Sequence, residues 1–387
     1  MVKILQGEHS LRGAAAVVGV GLSRFGDLAG RSHMEIMAEA VYHALDDAGL
    51  SLHDVDGIFA SNFVDQLTPL VVAEYFGIKP DFIDGTNIGG SVFVNSLLSA
   101  ALALKHGLCN VALICYGSNN RSGGHVSPAH ARSVESIYKP RYPIQAYALA
   151  AARHMYQYGT TPEQLAEVAV AARKWAQLNP AAELRDPLTI ADVLGARRIV
   201  DPLGLRDCCL VSDGGGAMIL VRSDRAKDFP KAPVYVLGVS ARTTHNIISA
   251  MPDLTVTAAA QSGPEAFAMA GVTPADIDVV ELYDAFTINT ILFLEDLGFC
   301  RKGEGGAFVA NGGIAPGGRL PVNTNGGGLS CVHPGMYGIF LMIEAVQQLR
   351  GECGERQVRG AQLAACNGNG GYLSSQVSAI FGTAATL

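Results

Sequence analysis

The sequence predicts an α/β protein built from two similar halves with an inserted segment between them. Three observations carry that prediction. Short β-rich runs alternate with helical stretches along the chain, the pattern of helices packed on a buried sheet. The stretch Ala48-Gly49-Leu50-Ser51-Leu52-His53-Asp54-Val55-Asp56 returns 222 residues later as Ala270-Gly271-Val272-Thr273-Pro274-Ala275-Asp276-Ile277-Asp278, with Ala, Gly, Asp and Asp in the same places. Residues 118–205 differ from both flanks, being richer in Pro, Arg, His and Tyr. The length of 387 residues also exceeds what one compact core usually holds.

Taken in order, residues 14–20 read as a buried strand. Residues 34–48 carry apolar side chains at helical spacing and stop at Gly49. Residues 55–60 form the next strand. Residues 91–105 are almost wholly apolar, which predicts a buried helix, and residues 111–115 a central strand. A second internal match supports duplication. Residues 89–107 and 331–351 each run from a glycine-containing turn through a long apolar helix to a terminal Gly. Within the inserted segment, Thr161-Pro162-Glu163 opens a helix with Thr as N-cap and Pro at the first helical position. We read this segment as a loop domain over the site.

Hydrophobic residues make up 49% of the chain and charged residues 16%. With a mean hydropathy of +0.24, that balance predicts surface covered by a partner subunit. A net charge of −7 excludes a general nucleic-acid binder. It leaves room for an anionic ligand held by local N–H groups. None of the eight cysteines forms a CxxC pair, so no metal site is expected. Most of them sit in apolar runs and read as reduced, buried thiols, which points to the cytoplasm. The N-terminal residues show no charged-then-apolar leader, and the apolar segments are too short to span a bilayer. The 45 glycines gather in clusters at 89–90, 123–124, 214–216, 326–328 and 370–371. Such clusters mark places where backbone approaches ligand or backbone closely.

Further motifs follow in order: Val18-Gly19-Val20-Gly21, then Thr161-Pro162-Glu163-Gln164-Leu165-Ala166 with Leu178-Asn179-Pro180, then Ser212-Asp213-Gly214. Tyr283-Asp284-Ala285-Phe286-Thr287, a glycine-flanked His333-Pro334 and Gly368-Asn369-Gly370-Gly371 complete the series. With these the chain resembles the thiolase superfamily, in the branch of sterol carrier protein x thiolase and the lipid-transfer-protein-like aldolases. The resemblance implies a five-layer α-β-α-β-α arrangement. Each half would be a five-stranded mixed sheet, with halves at residues 1–230 and 231–387 and the loop domain at about 118–205. It implies an acyl-CoA substrate, with coenzyme A entering only as part of that substrate and no tightly bound cofactor. It also implies a homodimer with residues 111–115 at the interface. A small partner carrying an OB-fold and a zinc-binding segment is a further expectation.

A thiolase needs a cysteine thiolate at a helix start, a histidine that activates it, a second cysteine that moves the α-proton, and oxyanion donors. His333 matches the histidine, at the start of the long apolar helix. Cys366, in Cys366-Asn367-Gly368-Asn369-Gly370, matches the second cysteine. The nucleophile is missing. Counting back from Gly107, or forward from Asn87, puts its place at Gly90. Ser91 is one residue on, about 100° around a helix, and reads as an N-cap or first-turn residue. Gly89 and Gly90 are expected to create space and expose N–H groups to the thioester.

Without a thiolate, acid–base work beside the thioester remains. Retro-aldol cleavage of a β-hydroxyacyl-CoA fits it. By the resemblance, Tyr283 replaces the Asn of the Asn-Glu-Ala-Phe motif, and Tyr337 follows His333 by one helical turn. The expected catalytic residues are therefore Tyr283, His333, Tyr337 and Cys366. The expected substrate-binding residues are Gly89, Gly90, Ser91, Asn325, Gly370 and Gly371. Two other readings stay open: acyl transfer through a displaced nucleophile, Ser91 or Cys331, and a non-catalytic acyl-CoA-binding subunit.

Overall fold

The computed structural model describes residues 10–124 and 134–387. The leader reading, which falls on residues 1–9, and part of the loop-domain reading, on 125–133, lie outside the described residues.

The first half runs β1 (Ala15–Leu22), α1 (His33–Ala48), β2 (Gly57–Ala60), α2 (Thr68–Phe76), β3 (Phe82–Asp84), α3 (Val92–Lys105) and β4 (Val111–Ser118). The inserted segment holds α4 (Ile144–Tyr158), α5 (Pro162–Gln177), α6 (Ile190–Leu194) and the short strands β5 (Arg198–Val200) and β6 (Leu203–Gly204). β7 (Gly214–Arg222) completes the first half. The second half runs β8 (Val234–Thr243), α7 (Ala259–Ala270), β9 (Val279–Leu282), α8 (Thr287–Asp296), α9 (Gly305–Val309), α10 (Gly338–Arg350), β10 (Leu363–Gly370) and β11 (Ser375–Gly382).

Local sequence explains the ends of these elements. Ser32 and Glu35 cap α1 reciprocally, and Gly49 closes it in the left-handed conformation at φ 67°. Thr161 and Gln164 do the same for α5, with Pro162 in its first turn.

The Asp-x-Asp repeat has a mechanical reason. Asp54 and Asp276 each close a 3-10 turn by accepting from the N–H of Ser51 and Thr273, both at 2.8 Å. Asp56 then accepts from the N–H groups of Asn110 and Val111, each at 2.8 Å, at the start of β4. Asp278 accepts from Gln362 and Leu363 N–H, at 2.7 and 3.0 Å, at the start of β10. In both halves the second Asp clamps the incoming central strand to its parallel neighbour.

The nine main strands follow the order β3-β2-β4-β7-β1-β8-β11-β10-β9. Read outward from the middle, the two halves carry the same pairing: β1 with β7, β7 with β4 and β4 with β2 on one side, β8 with β11, β11 with β10 and β10 with β9 on the other. The last pair is parallel in each half. The halves meet where β1 pairs with β8 at Ala16–Tyr235 and Val17–Val234. β3 makes a fifth strand in the first half. In the second half its counterpart shrinks to one bridge, Val280 to Val322.

Helix α1 packs on β1, β4 and β7, and α7 packs on β8 and β11. Gly19 and Gly238, at matching places, allow that approach. A Cβ there would lie 2.3 Å from Ala44 O and 2.1 Å from Ala266 O. α3 and α10 touch each other and strands of both halves; α10 is buried on nearly every face, and α3 on all but the stripe of Asn95, Leu98, Ser99 and Leu102. The result is the α-β-α-β-α layering, with two apolar helices at the centre.

One expectation fails. Val111 to Cys115 lies between β2 and β7 with α1 and α3 packed against it, and none of these five residues is more than 4% exposed. A strand paired on both edges and covered on both faces has nothing left to offer a second subunit. The sheet edge of this half is β3 instead.

Candidate active site

Tyr283 directly follows β9, at the end of a parallel strand. Its own N–H donates to Asn367 O at 3.1 Å, and the preceding Leu282 N–H donates to Asn323 Oδ1 at 2.6 Å. The phenol oxygen accepts the N–H of Tyr337 at 3.1 Å and lies 3.4 Å from Gly335 O. The ring stands edge-on to His333, centroids 5.6 Å apart, and to Tyr337 at 5.7 Å. Burial pushes the phenol well above its usual range, outweighing the one N–H donor.

His333 and Tyr337 come from a non-helical segment, which corrects the sequence reading. The helix begins at Gly338, and Tyr337 is its N-cap. Side chains from distant parts of the chain hold this segment open. Ser212 Oγ accepts His333 N–H at 2.7 Å, and Tyr116 Oη accepts Met336 N–H at 3.2 Å. Tyr116 also donates to Pro334 O, and Tyr283 takes Tyr337 N–H. The two rings meet all the same, nearly parallel at 16° and 5.9 Å apart. Tyr337 stacks onward onto Phe340 at 5.5 Å and donates its hydroxyl to Asn325 Oδ1 at 3.1 Å.

Asn325 Oδ1 also accepts Gly327 N–H at 2.7 Å, at the entry to a single π-turn over Gly327–Cys331. Asp284 holds the same turn, accepting Gly328 N–H at 2.6 Å and Leu329 N–H at 3.3 Å. Gly327 is required there, since a Cβ would sit 2.0 Å from Asp284 Oδ2. Burial pushes the Asp284 carboxyl up to about 7 despite those N–H donors. Sequence reasoning used Asp284 only as part of a motif. The signal available was an acid set between aromatic and apolar neighbours, where an unpaired charge would be costly.

The two glycine turns pack on each other. A Cβ on Gly89 would lie 2.8 Å from Gly371 N, and one on Gly370 would lie 1.9 Å from Ile88 O. Gly90 does not leave the open space expected of it. A Cβ there would fall 2.3 Å from Tyr283 Oη, so the phenol ring already fills that volume.

Ser91 occupies the N-cap position of α3 without capping it. Its hydroxyl donates within 3.3 Å of Ile88 O and 3.1 Å of Ser375 Oγ, wholly buried. Cys366 is also turned into packing. Its thiol faces Leu341 O in the first turn of α10 at 3.6 Å, and burial, with Glu281 nearby, raises it well above its usual range. Cys331 is 1% exposed, has Asn179 Nδ2 3.5 Å from its sulfur, and is likewise raised by burial.

The structure therefore brings together Tyr283, His333, Tyr337 and Asn325 with the turns at Gly89-Gly90 and Gly370-Gly371. It sets Ser91 and Cys366 into the core beside them. The inserted segment closes over this group: Asn179 donates to Asn325 O at 2.9 Å, Arg173 to Ser330 Oγ at 3.0 Å, and Tyr147 to Gly371 O at 3.1 Å. A cleft of about 240 Å³, lined in part by Asn62, Tyr116, Asn119 and Pro334, reaches Gly335 next to the Tyr283 phenol. Among the described residues no cluster of three or more His, Cys, Asp or Glu could hold a metal ion.

Comparison with known proteins gives a family match and several near-full-length likenesses, three of which follow. A thiolase C-terminal domain-like family model matches residues 240–383. The chain is 36% identical over 374 residues to an acetyl-CoA acetyltransferase of Methanothermobacter thermautotrophicus, covering 92% of this chain and 96% of that protein. It is 37% identical over 367 residues to a 17-hydroxy-3-oxo-4-pregnene-20-carboxyl-CoA lyase of Mycobacterium tuberculosis, covering 88% and 92%. The solved Ltp2-ChsH2(DUF35) aldolase superposes with a TM-score of 0.89 at 33% identity, covering 96% of this chain and 98% of that one.

Proposed function

The chain belongs to the thiolase superfamily, and from that premise we propose that it is a carbon–carbon lyase. Its reaction is retro-aldol cleavage of a β-hydroxyacyl-CoA with a bulky acyl group of the steroid side-chain kind. One observation carries the reading: the Tyr283 phenol stands in the volume that a nucleophile at residue 90 would need. An acid–base group has replaced a covalent one.

In the free enzyme a phenol raised by burial keeps its proton, so Tyr283 is a donor. His333, edge-on to it, is the base. The base takes the β-hydroxyl proton, the β-oxygen becomes a carbonyl, and the Cα–Cβ electron pair passes to Cα. The enolate of the shortened thioester then receives a proton at Cα from the Tyr283 side. Backbone N–H groups of the glycine turns, apart from that of Gly89, which Asn87 Oδ1 already takes at 3.2 Å, support the thioester oxygen. Tyr337, anchored on Asn325, fixes the planes of both rings. Cys366 is given no proton to move.

The near-full-length acetyltransferase relative keeps acyl transfer as the second reading. One experiment separates the two. A panel of β-hydroxyacyl-CoAs, including the steroid thioester named for the M. tuberculosis relative, is incubated with and without free coenzyme A. The lyase reading expects a carbonyl product and a shortened acyl-CoA with no need for free coenzyme A. An acyl adduct by intact mass would establish transfer instead, and binding without turnover a carrier role.

We further propose a cytoplasmic homodimer with halves at 1–230 and 231–387, joined through the exposed edge around β3. Ile83 on β3, Leu70 and Tyr75 on α2, and Val64 and Leu67 before it are each 42% exposed or more. The DUF35 component named in the aldolase structure supports a partner protein, and we propose that it is a small one of the OB-fold and zinc-binding kind. The eight unpaired cysteines support a reducing compartment.

A further inference from the structure

We infer that Tyr147, carried by α4 of the inserted segment, is a positioning residue for the reaction, and that a one-way ladder of buried hydrogen bonds behind it sets the Gly370-Gly371 turn against Gly89 and Gly90. The inference rests on the lyase reading above.

The ladder starts at the turn. Tyr147 Oη lies 3.1 Å from Gly371 O, and a carbonyl only accepts, so the phenol proton is committed there. The phenol oxygen must then accept from Asn369 Nδ2 at 2.8 Å. That fixes the Asn369 amide, whose Oδ1 takes Gln376 Nε2 at 2.7 Å. Gln376 Oε1 takes Asn367 Nδ2 at 2.9 Å, and Asn367 Oδ1 takes the Ser378 hydroxyl at 2.9 Å. Ser378 is left to accept from Ser262 at 2.8 Å. Every donor points the same way, from α7 towards the turn. Asn367 and Ser378 are direct partners in the β10–β11 ladder, as are Asn369 and Gln376, so all four share one sheet face.

All six side chains are at most 2% exposed. Burying that many polar groups is costly unless each is satisfied, and a satisfied network specifies one arrangement. What it specifies is a strained turn. Gly371 and the buried, non-glycine Leu373 both adopt left-handed φ values, 63° and 62°. Such strain persists where surroundings over-determine it. A second tyrosine of the inserted segment grips the same turn: Tyr142 stacks on Tyr372 at 4.4 Å.

The turn matters because of what rests on it. Gly371 N sits 2.8 Å from where a Cβ of Gly89 would be, and Gly90 lies directly against the Tyr283 ring. Displacing the turn displaces the glycine pair and, through it, the phenol. Losses of orientation at this scale act on kcat.

The test uses the full chain and the thioester that the panel above shows to be cleaved. Tyr147→Phe removes the hydroxyl and keeps the ring on Phe286, 4.4 Å away. Gln376→Met has a similar length and no N–H. Asn369 Oδ1 then has no donor, and the amide is free to turn that oxygen to Tyr147 and draw the phenol proton away from Gly371. Both variants are expected to lose about tenfold in kcat with KM within about threefold, and to speed amide hydrogen exchange across residues 370–374. A Tyr147→Phe enzyme with kcat within about twofold of wild type, or with unchanged exchange at the turn, would overturn the inference. If Gln376→Met does not fold, Tyr147→Phe decides alone. If wild type cleaves no thioester of the panel, the lyase reading fails, and the exchange measurement decides whether Tyr147 holds the turn.

Discussion

The phenol ring of Tyr283 stands where a side chain on Gly90 would begin. An added Cβ would lie 2.3 Å from Tyr283 Oη and 2.4 and 2.5 Å from two ring carbons. The two positions compete for one volume, which holds either a nucleophile from the helix start or a phenol from the end of β9. Restoring the cysteine alone should therefore not restore a thiolase. Gly90→Cys is expected to destabilise the fold by about 1–3 kcal/mol, the scale of overpacking, and to form no acyl adduct. Adding Tyr283→Asn, which empties the space, should recover much of that loss. Denaturant unfolding of the single and double variants measures the coupling. A Gly90→Cys protein as stable as wild type would sink the idea of competition.

The rings that meet in the site should carry the chemistry, and the thiols should not. Tyr283→Phe and His333→Ala are each expected to lower kcat/KM by at least about a hundredfold, the scale for removing an acid–base group. Cys331→Ala should keep most activity, because its thiol is buried and raised. Steady-state kinetics on the three variants is the check. A dead Cys331→Ala enzyme beside an active Tyr283→Phe enzyme would favour covalent transfer.

Cys366 gives a sharper version of that contrast. By motif it is the second thiolase cysteine, but its thiol faces Leu341 O inside the central helix layer. Cys366→Ala should cost about 1 kcal/mol of stability through lost packing, with kcat within about threefold of wild type. A hundredfold fall in kcat at unchanged stability would return it to an acid–base role.

The edge at β3 leads to an association test. An exposed edge strand with an apolar flank templates pairing with another chain, and a charge on it blocks that pairing. Ile83→Lys should convert a dimer to a monomer at micromolar concentration, read by light scattering after size exclusion, with the circular dichroism spectrum unchanged. A wild-type monomer, or a variant that stays dimeric, would place the contact elsewhere.

What the sequence made legible was local. Gly49 and Gly271 stop helices by conformation alone, and the Asp-x-Asp pairs close turns within three residues and clamp a neighbouring strand. The misplaced features all depend on partners far along the chain. His333 to Tyr337 stay out of the helix because Ser212, Tyr116 and Tyr283 take up their backbone N–H groups. Gly90 reads as empty space until a residue nearly two hundred positions away fills it. Ser91 looks like a cap but bonds to Ser375 on β11 instead. Asp284 binds a turn more than forty residues on, a contact that no period or cap signals.

Asp284 also sets a pH dependence. It is wholly buried, and burial pushes its carboxyl from the usual 3.8 up to about 7 against the pull of the Gly328 and Leu329 N–H groups. Between those two values the folded chain holds a proton that the unfolded chain has released. Its contribution to stability is therefore full below about pH 4, falls as pH rises, and is lost above about pH 7. The slope within that window approaches about 1.4 kcal/mol per pH unit. Asp284→Asn has no proton to release and still offers one oxygen to Gly328 N–H. The variant should be less stable than wild type at pH 5, because Leu329 N–H loses its acceptor. That gap should narrow or reverse by pH 8, where wild type must bury the charge. Urea unfolding at pH 5, 6, 7 and 8 on both proteins measures it, and two parallel stability curves would show that Asp284 does not titrate in this window.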